Sequence, residues 1–102
     1  MGYMLARLQI KPGQIPQAIE IMKHITVGME KQGWKLIGGY QTVIGRFNEI
    51  WDLWDVGGDA GAIGTALANA RNDPDFAQWA AKLPGVVESE ETRYMEKLDY
   101  SL

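Results

Sequence analysis

The chain has 102 residues, 46% of them apolar, with a net charge of −3 and no cysteine. That is the length of one domain, and the acidic balance, with a pI near 5.0, argues against nucleic acid and anionic lipid as partners. Without thiols there are no disulfides, zinc fingers or iron–sulfur clusters, and no run of about 20 apolar residues is present to span a membrane. Met1 to Ile10, with Arg7 and Gln9 inside it, does not read as a secretory leader, so a cytoplasmic domain is expected. Four Trp, four Tyr and two Phe are a heavy aromatic load for this length, to be covered by a partner or used as pocket walls.

Residues Tyr3 to Ile10 alternate as a strand does, with Met4, Ala6, Leu8 and Ile10 on one face and Tyr3, Leu5, Arg7 and Gln9 on the other. Lys11-Pro12-Gly13 breaks the pattern. From Ile15 apolar residues recur at helical spacing through Ala18, Ile19, Met22, Ile25 and Met29, until Gln32-Gly33 stops them. Pro16 falls in the first turn, where its missing N–H costs nothing.

Trp34 to Ile44 reads as a second strand, Gly45-Arg46 as a two-residue turn, and Phe47 to Val56 as a third strand. Such a turn pairs Ile44 with Phe47, and therefore Tyr40 with Trp51 and Gly39 with Asp52. One face then carries Leu36, Tyr40, Thr42, Glu49, Trp51 and Leu53; the other carries Ile37, Gln41, Asn48, Ile50, Asp52 and Trp54. Both are too apolar for a sheet with one face in water. Gly57-Gly58 turns the chain, and Asp59 caps a small-residue helix from Ala60 to Arg71. Asp73-Pro74 restarts the helix with Phe76, Trp79, Ala80 and Leu83 as its stripe, and Pro84-Gly85 ends it. Val86 to Leu98 closes the pattern as a strand whose Glu88, Glu90 and Glu91 suit a guarded edge.

The order β-α-β-β-α-β is the ferredoxin-like arrangement of an α+β domain, with both helices on one side of a four-stranded antiparallel sheet. The opposite face, with its large aromatics, then needs a cover, and a second copy of the chain needs only self-complementarity to supply it.

The run Tyr3-Met4-Leu5-Ala6-Arg7-Leu8-Gln9-Ile10-Lys11-Pro12-Gly13, the hairpin from Gly39-Tyr40 through Gly45 to Asn48-Glu49, Leu53-Trp54, Asp73-Pro74-Asp75-Phe76 and the terminal Tyr100-Ser101-Leu102 together resemble the NIPSNAP family. The resemblance runs over nearly the whole chain, 1–102 as a single domain. It implies a homodimeric α/β barrel, in which two ferredoxin-like sheets close face to face with a small-molecule cavity between sheet and helices of each subunit, as in antibiotic-biosynthesis monooxygenases, muconolactone isomerases and polyketide cyclases. Family members often carry Glu and Arg where Met4 and Ala6 stand, and an aromatic where Leu8 stands, so no role of those polar residues transfers to this chain.

Among candidate groups Asp52 is the sharpest, a mid-strand carboxylate between Ile50 and Trp54 with Gly39 across the ladder. Held against apolar walls it would have a raised pKa and could move a proton; the alternative is an ion pair with Arg7, Arg46 or Arg93. Gln41 and Asn48 share its face and suit the orientation of a carbonyl or hydroxyl, although Asn beside a turn commonly serves the backbone. Trp54 and Trp79 are candidate cavity walls, with core packing as the alternative, while Trp51 and Tyr40 fit the face between subunits. His24, the only histidine, falls opposite the apolar stripe, where pairing with Glu20 is expected. With one His and no Cys, no metal site is expected. Gly57-Gly58-Asp59 with Gly61 and Gly64 matches neither phosphate-loop pattern and reads as turn and cap.

The expected function is therefore a cofactor-independent isomerase, cyclase or monooxygenase acting on an apolar or aromatic small molecule, with a non-catalytic ligand-binding or sensing domain as the alternative. RNA-recognition modules share the strand order, but Glu49, Asp55 and the net charge oppose that reading.

Overall fold

The computed structural model describes residues 2–101. Strand β1 (Gly2–Ile10) leads into helix α1 (Ile15–Glu30), followed by β2 (Lys35–Gln41), β3 (Glu49–Asp55), α2 (Ala60–Arg71), α3 (Pro74–Ala80), a 3-10 turn (Leu83–Gly85) and β4 (Val87–Glu96). The four strands form one antiparallel sheet in the order β2-β3-β1-β4, the ferredoxin-like topology. The second helical stretch is broken in two, as Asp73-Pro74 dictates. Asp59 and Asp73 cap the two pieces, accepting from Ala62 N at 3.2 Å and Asp75 N at 3.0 Å.

The core lies between helices and sheet. Leu8, Ile10, Ile50, Trp54 and Val56 supply the sheet side, Ala18, Ile21, Ile25 and Met29 the stripe of α1, and Ala66, Ala70 and Phe76 the other helices. Trp34 meets Trp54 edge-on, ring centroids 5.6 Å apart. Gly28 lets α3 approach α1, since a Cβ there would stand 2.4 Å from the Phe76 ring. The stripe of α1 is rotated from the expected one: Ile21 and Gly28 are inside, and Ile19 is half exposed.

Two features of the hairpin depart from expectation. The register is as expected, Tyr40 opposite Trp51 and Gly39 opposite Asp52, but the ladder ends at the bond from Thr42 N to Glu49 O, and residues 42–48 form a loop rather than a two-residue turn. The reason is competition for the carbonyls on the β3 side. Ile10 N–H donates to Asn48 O at 2.7 Å and the Gln9 amide to Phe47 O at 2.8 Å, tying that end to β1, while Asn48 takes a left-handed φ of 59°. Val43, Ile44 and Phe47 are left projecting, Ile44 with 95% of its surface exposed. The second departure is a bulge in β2. Leu36 pairs with Trp54 but Gly38 with Leu53, so Ile37 is the extra residue. Leu36 consequently packs on the core, with Trp54, and not on the face of Tyr40 and Trp51. Ile37 turns to the opposite side, beside Tyr3 and Leu53.

Candidate functional site

Asp52 stands at the middle of β3, on the side of the sheet that the helices cover. Its two neighbours across the ladders are Gly39 of β2 and Ala6 of β1, the two smallest side chains available, so nothing on the sheet fills the space beside the carboxylate. A Cβ at Gly39 would lie 3.0 Å from Asp52 Oδ1. Where β2 and β3 meet α1 a cavity of about 500 Å³ opens, with Asp52 in its lining. Helix α1 contributes Ile19, Met22, Lys23 and Thr26; β2 contributes Leu36, Gly39, Tyr40 and Gln41; β3 contributes Ile50 as well as Asp52.

Asp52 is 4% exposed, and its Oδ2 is sealed from solvent with no hydrogen-bond partner among the described residues. Removal of a carboxylate from water disfavours its charged form. Burial first, and the nearby Glu90 carboxylate second, push Asp52 up to about 6. Glu90 of β4 pairs with Leu8 of β1, two residues along from the Ala6–Thr92 pair that borders Asp52, and burial raises its own pKa as well. The ion pairs considered for Asp52 are not made. Arg7 engages Glu49 and Glu91, Arg93 engages Glu91, and Arg46 is exposed in the hairpin loop.

The other residues singled out from sequence are dispersed. Gln41 shares the cavity with Asp52. Trp54, 2% exposed, lies in the core against Trp34, outside the cavity lining. Asn48 occupies the hairpin loop, where its left-handed backbone and its carbonyl serve the chain fold. Trp79 sits on α3, stacked on His24 with ring centroids 3.8 Å apart and with Lys82 Nζ 4.0 Å from its ring. His24 also pairs with Glu20 at 3.4 Å. Ile19, Met22, Lys23 and Thr26, which carry the cavity's helix wall, recur at i, i+3, i+4 and i+7. That spacing marks a second face of α1 beside its buried stripe, a signal present in the sequence.

The opposite sheet face holds a separate polar cluster. Arg7 Nε donates to Glu49 Oε2, the Thr42 hydroxyl donates to Glu49 Oε1 at 2.7 Å, and Arg7 Nη2 donates to Gln9 Oε1 at 3.1 Å. Hydrogen bonds from Trp51, Thr42 and Arg7 hold the Glu49 carboxyl down at about 2. This network is internally satisfied, in contrast to Asp52. Among the described residues there is no cluster of three or more metal-ligating side chains, and no helix is long and apolar enough to cross a membrane.

Solved structures share this fold. A NIPSNAP family protein of unknown function from Agrobacterium tumefaciens superposes with a TM-score of 0.86 at 22% identity, over 99% of this chain and 91% of that one. An uncharacterised NIPSNAP domain protein from Burkholderia xenovorans gives 0.83 at 17% identity, over 100% and 99%. A protein from Nitrosomonas europaea, provisionally assigned as an antibiotic biosynthesis monooxygenase, gives 0.72 at 8% identity, over 96% and 99%. No curated protein matches the chain. The NIPSNAP family model matches residues 3–102, essentially the whole sheet and every helix described above, and the chain belongs to that family.

Proposed function

We propose that this chain is a cytoplasmic, homodimeric small-molecule-binding protein that carries out cofactor-independent proton transfer on an apolar or aromatic substrate, as an isomerase or cyclase does. The observation that supports it is the buried, unpaired Asp52 carboxylate in the lining of an otherwise largely apolar cavity. A carboxyl with a pKa near 6 is mostly ionised at neutral pH yet basic enough to take a proton from carbon or oxygen and return it elsewhere on the same molecule. Isomerisation and cyclisation of this kind need no further reactant. Gln41 is the group placed to orient a substrate carbonyl or hydroxyl, with Ile19, Met22, Leu36 and Ile50 as the apolar walls. Dimerisation draws on the other sheet face, where Leu5, Trp51 and Leu53 are half-buried and Ile37 and Tyr40 exposed, apolar surface that a second copy of the chain would cover.

A second reading, ligand binding without chemistry, is favoured by the scarcity of proton-handling groups: among the described residues, Lys23 and Tyr40 are the other titratable side chains that line the cavity. The test begins with native mass spectrometry of the purified protein, to find what it retains, at a mass twice that of the 11.4 kDa chain. Incubation of the retained compound with wild type and Asp52→Asn then separates the readings. Conversion by wild type, rising through pH 6 and lost in Asp52→Asn, is the expected result. Recovery of unaltered ligand from every incubation would sink the enzyme reading.

A further inference from the structure

The unpartnered carboxylate also limits what its ligand can be. Asp52 has no cation beside it among the described residues, and Glu90 places a second negative charge on the same sheet face, beyond Ala6. The charged groups that bear on Asp52 are few. From α1 comes Lys23, at the cavity wall and already shared with Glu20 at 3.5 Å; from β4 comes Glu90; β1 offers Ala6 and β2 offers Gly39 and Gln41, all uncharged. The arginine nearest in sequence pattern, Arg7, is committed to Glu49 on the opposite face. The floor of the cavity is thus a site of negative charge inside apolar walls. An anionic ligand is repelled there, and a neutral hydroxyl returns one hydrogen bond without offsetting the charge. An ammonium group supplies both donor and charge.

We infer that the Asp52 cavity takes an apolar primary amine, its ammonium group on the Asp52 carboxylate and its hydrocarbon body against Ile19, Met22, Leu36 and Ile50. This rests on the reading of the cavity as a ligand site, and it requires no chemistry there. Binding is coupled to ionisation of Asp52, because only the carboxylate form attracts the cation. Affinity is therefore flat between the pKa of Asp52 and that of the amine, and falls about tenfold for each pH unit below the first or above the second.

Benzylamine, benzyl alcohol and benzoate present the same ring with a cation, a neutral donor and an anion, and their affinities can be compared by titration calorimetry on the intact protein. The expected result at pH 8 is benzylamine binding at least about tenfold more tightly than benzyl alcohol, a difference of about 1.4 kcal/mol, with benzoate weaker still. Asp52→Asn should remove the preference for the amine while leaving the alcohol bound, which reports that the variant is folded and the cavity intact. If benzyl alcohol or benzoate binds as well as the amine, and does so through this cavity, the inference is wrong although the site reading survives. If none of the three binds saturably to the folded wild type, the inference and the site reading fall together.

Discussion

Replacement of Asp52 by Asn should change not only ligand chemistry but the pH dependence of folding, and the size of the change follows from the burial of the carboxyl. In the unfolded chain Asp52 titrates at its ordinary 3.8; in the fold it titrates at about 6. Between those values the folded state binds more protons, so stability falls as pH rises. The protonated side chain carries no penalty below pH 3.8, and the full penalty is present above pH 6. At about 1.4 kcal/mol for each pH unit of displacement this amounts to about 3 kcal/mol, a large part of the total stability of a small domain, about 5 to 15 kcal/mol. Asn keeps the shape and cannot ionise. Its buried amide carries a cost of its own, about 1 to 3 kcal/mol for an unpaired group, but that cost does not vary with pH. The quantity to follow is therefore the stability of Asp52→Asn minus that of wild type, from urea denaturation at pH 3.5 and at pH 7.5. The difference should move in favour of the variant by about 3 kcal/mol across that range, whatever its value at either end. A difference that stays constant with pH would refute the claim that Asp52 is ionised and unpaired in the fold. Glu49 titrates in the opposite sense and is present in both proteins, so it drops out of the subtraction.

Two further expectations concern parts of the molecule away from the cavity. Gly28→Ala sets a Cβ 2.4 Å from the Phe76 ring and should destabilise the domain by about 1 to 3 kcal/mol; chemical denaturation measures the loss, and Phe76→Leu in the same chain should recover part of it. Arg7→Met and Glu49→Gln should each weaken the fold at pH 7 by stranding the buried partner, and the double variant should lose less than the sum of the two. The carboxylate form of Glu49 stabilises the fold above its ordinary 4.5, and that contribution disappears as pH falls toward 2, so the penalty for Glu49→Gln should shrink in acid; strict additivity of the pair at pH 7 would show that the two side chains do not act together.

The role proposed for Asp52 accounts for an otherwise unfavourable arrangement. A Leu or Val at residue 52 would extend the run of Ile50, Trp54 and Val56 that forms the core on this face. Instead the fold keeps a group that opposes its own stability and frames it with Gly39 and Ala6. Sites built for binding or catalysis commonly carry such a cost.

Much of this protein was legible from local pattern. Alternation in Tyr3 to Ile10, the Pro and Asp residues that start the helices, and the acidic edge of β4 define elements because strand and helix periods and caps depend on near neighbours. The pairing of Gly39 with Asp52, which locates the candidate site, follows equally from counting back along a hairpin. The structure decided what counting could not. A single bulge at Ile37 sends Leu36 to the core and Ile37 to the other face, since each strand position alternates sides and one extra residue reverses everything before it. Hydrogen bonds from Gln9 and Ile10 to the end of β3 open the hairpin, and those groups are nearly forty residues away in sequence. The aromatic load likewise divides only in three dimensions. Trp34 and Trp54 fill the core, Trp51 joins the Glu49 cluster on the far face, and Trp79 lies on α3 against His24. The helix wall of the Asp52 cavity comes from the shoulder of α1, and the sequence does not place it over the sheet, because the angle at which a helix lies on a sheet is set by packing between distant segments and not by the period of either one.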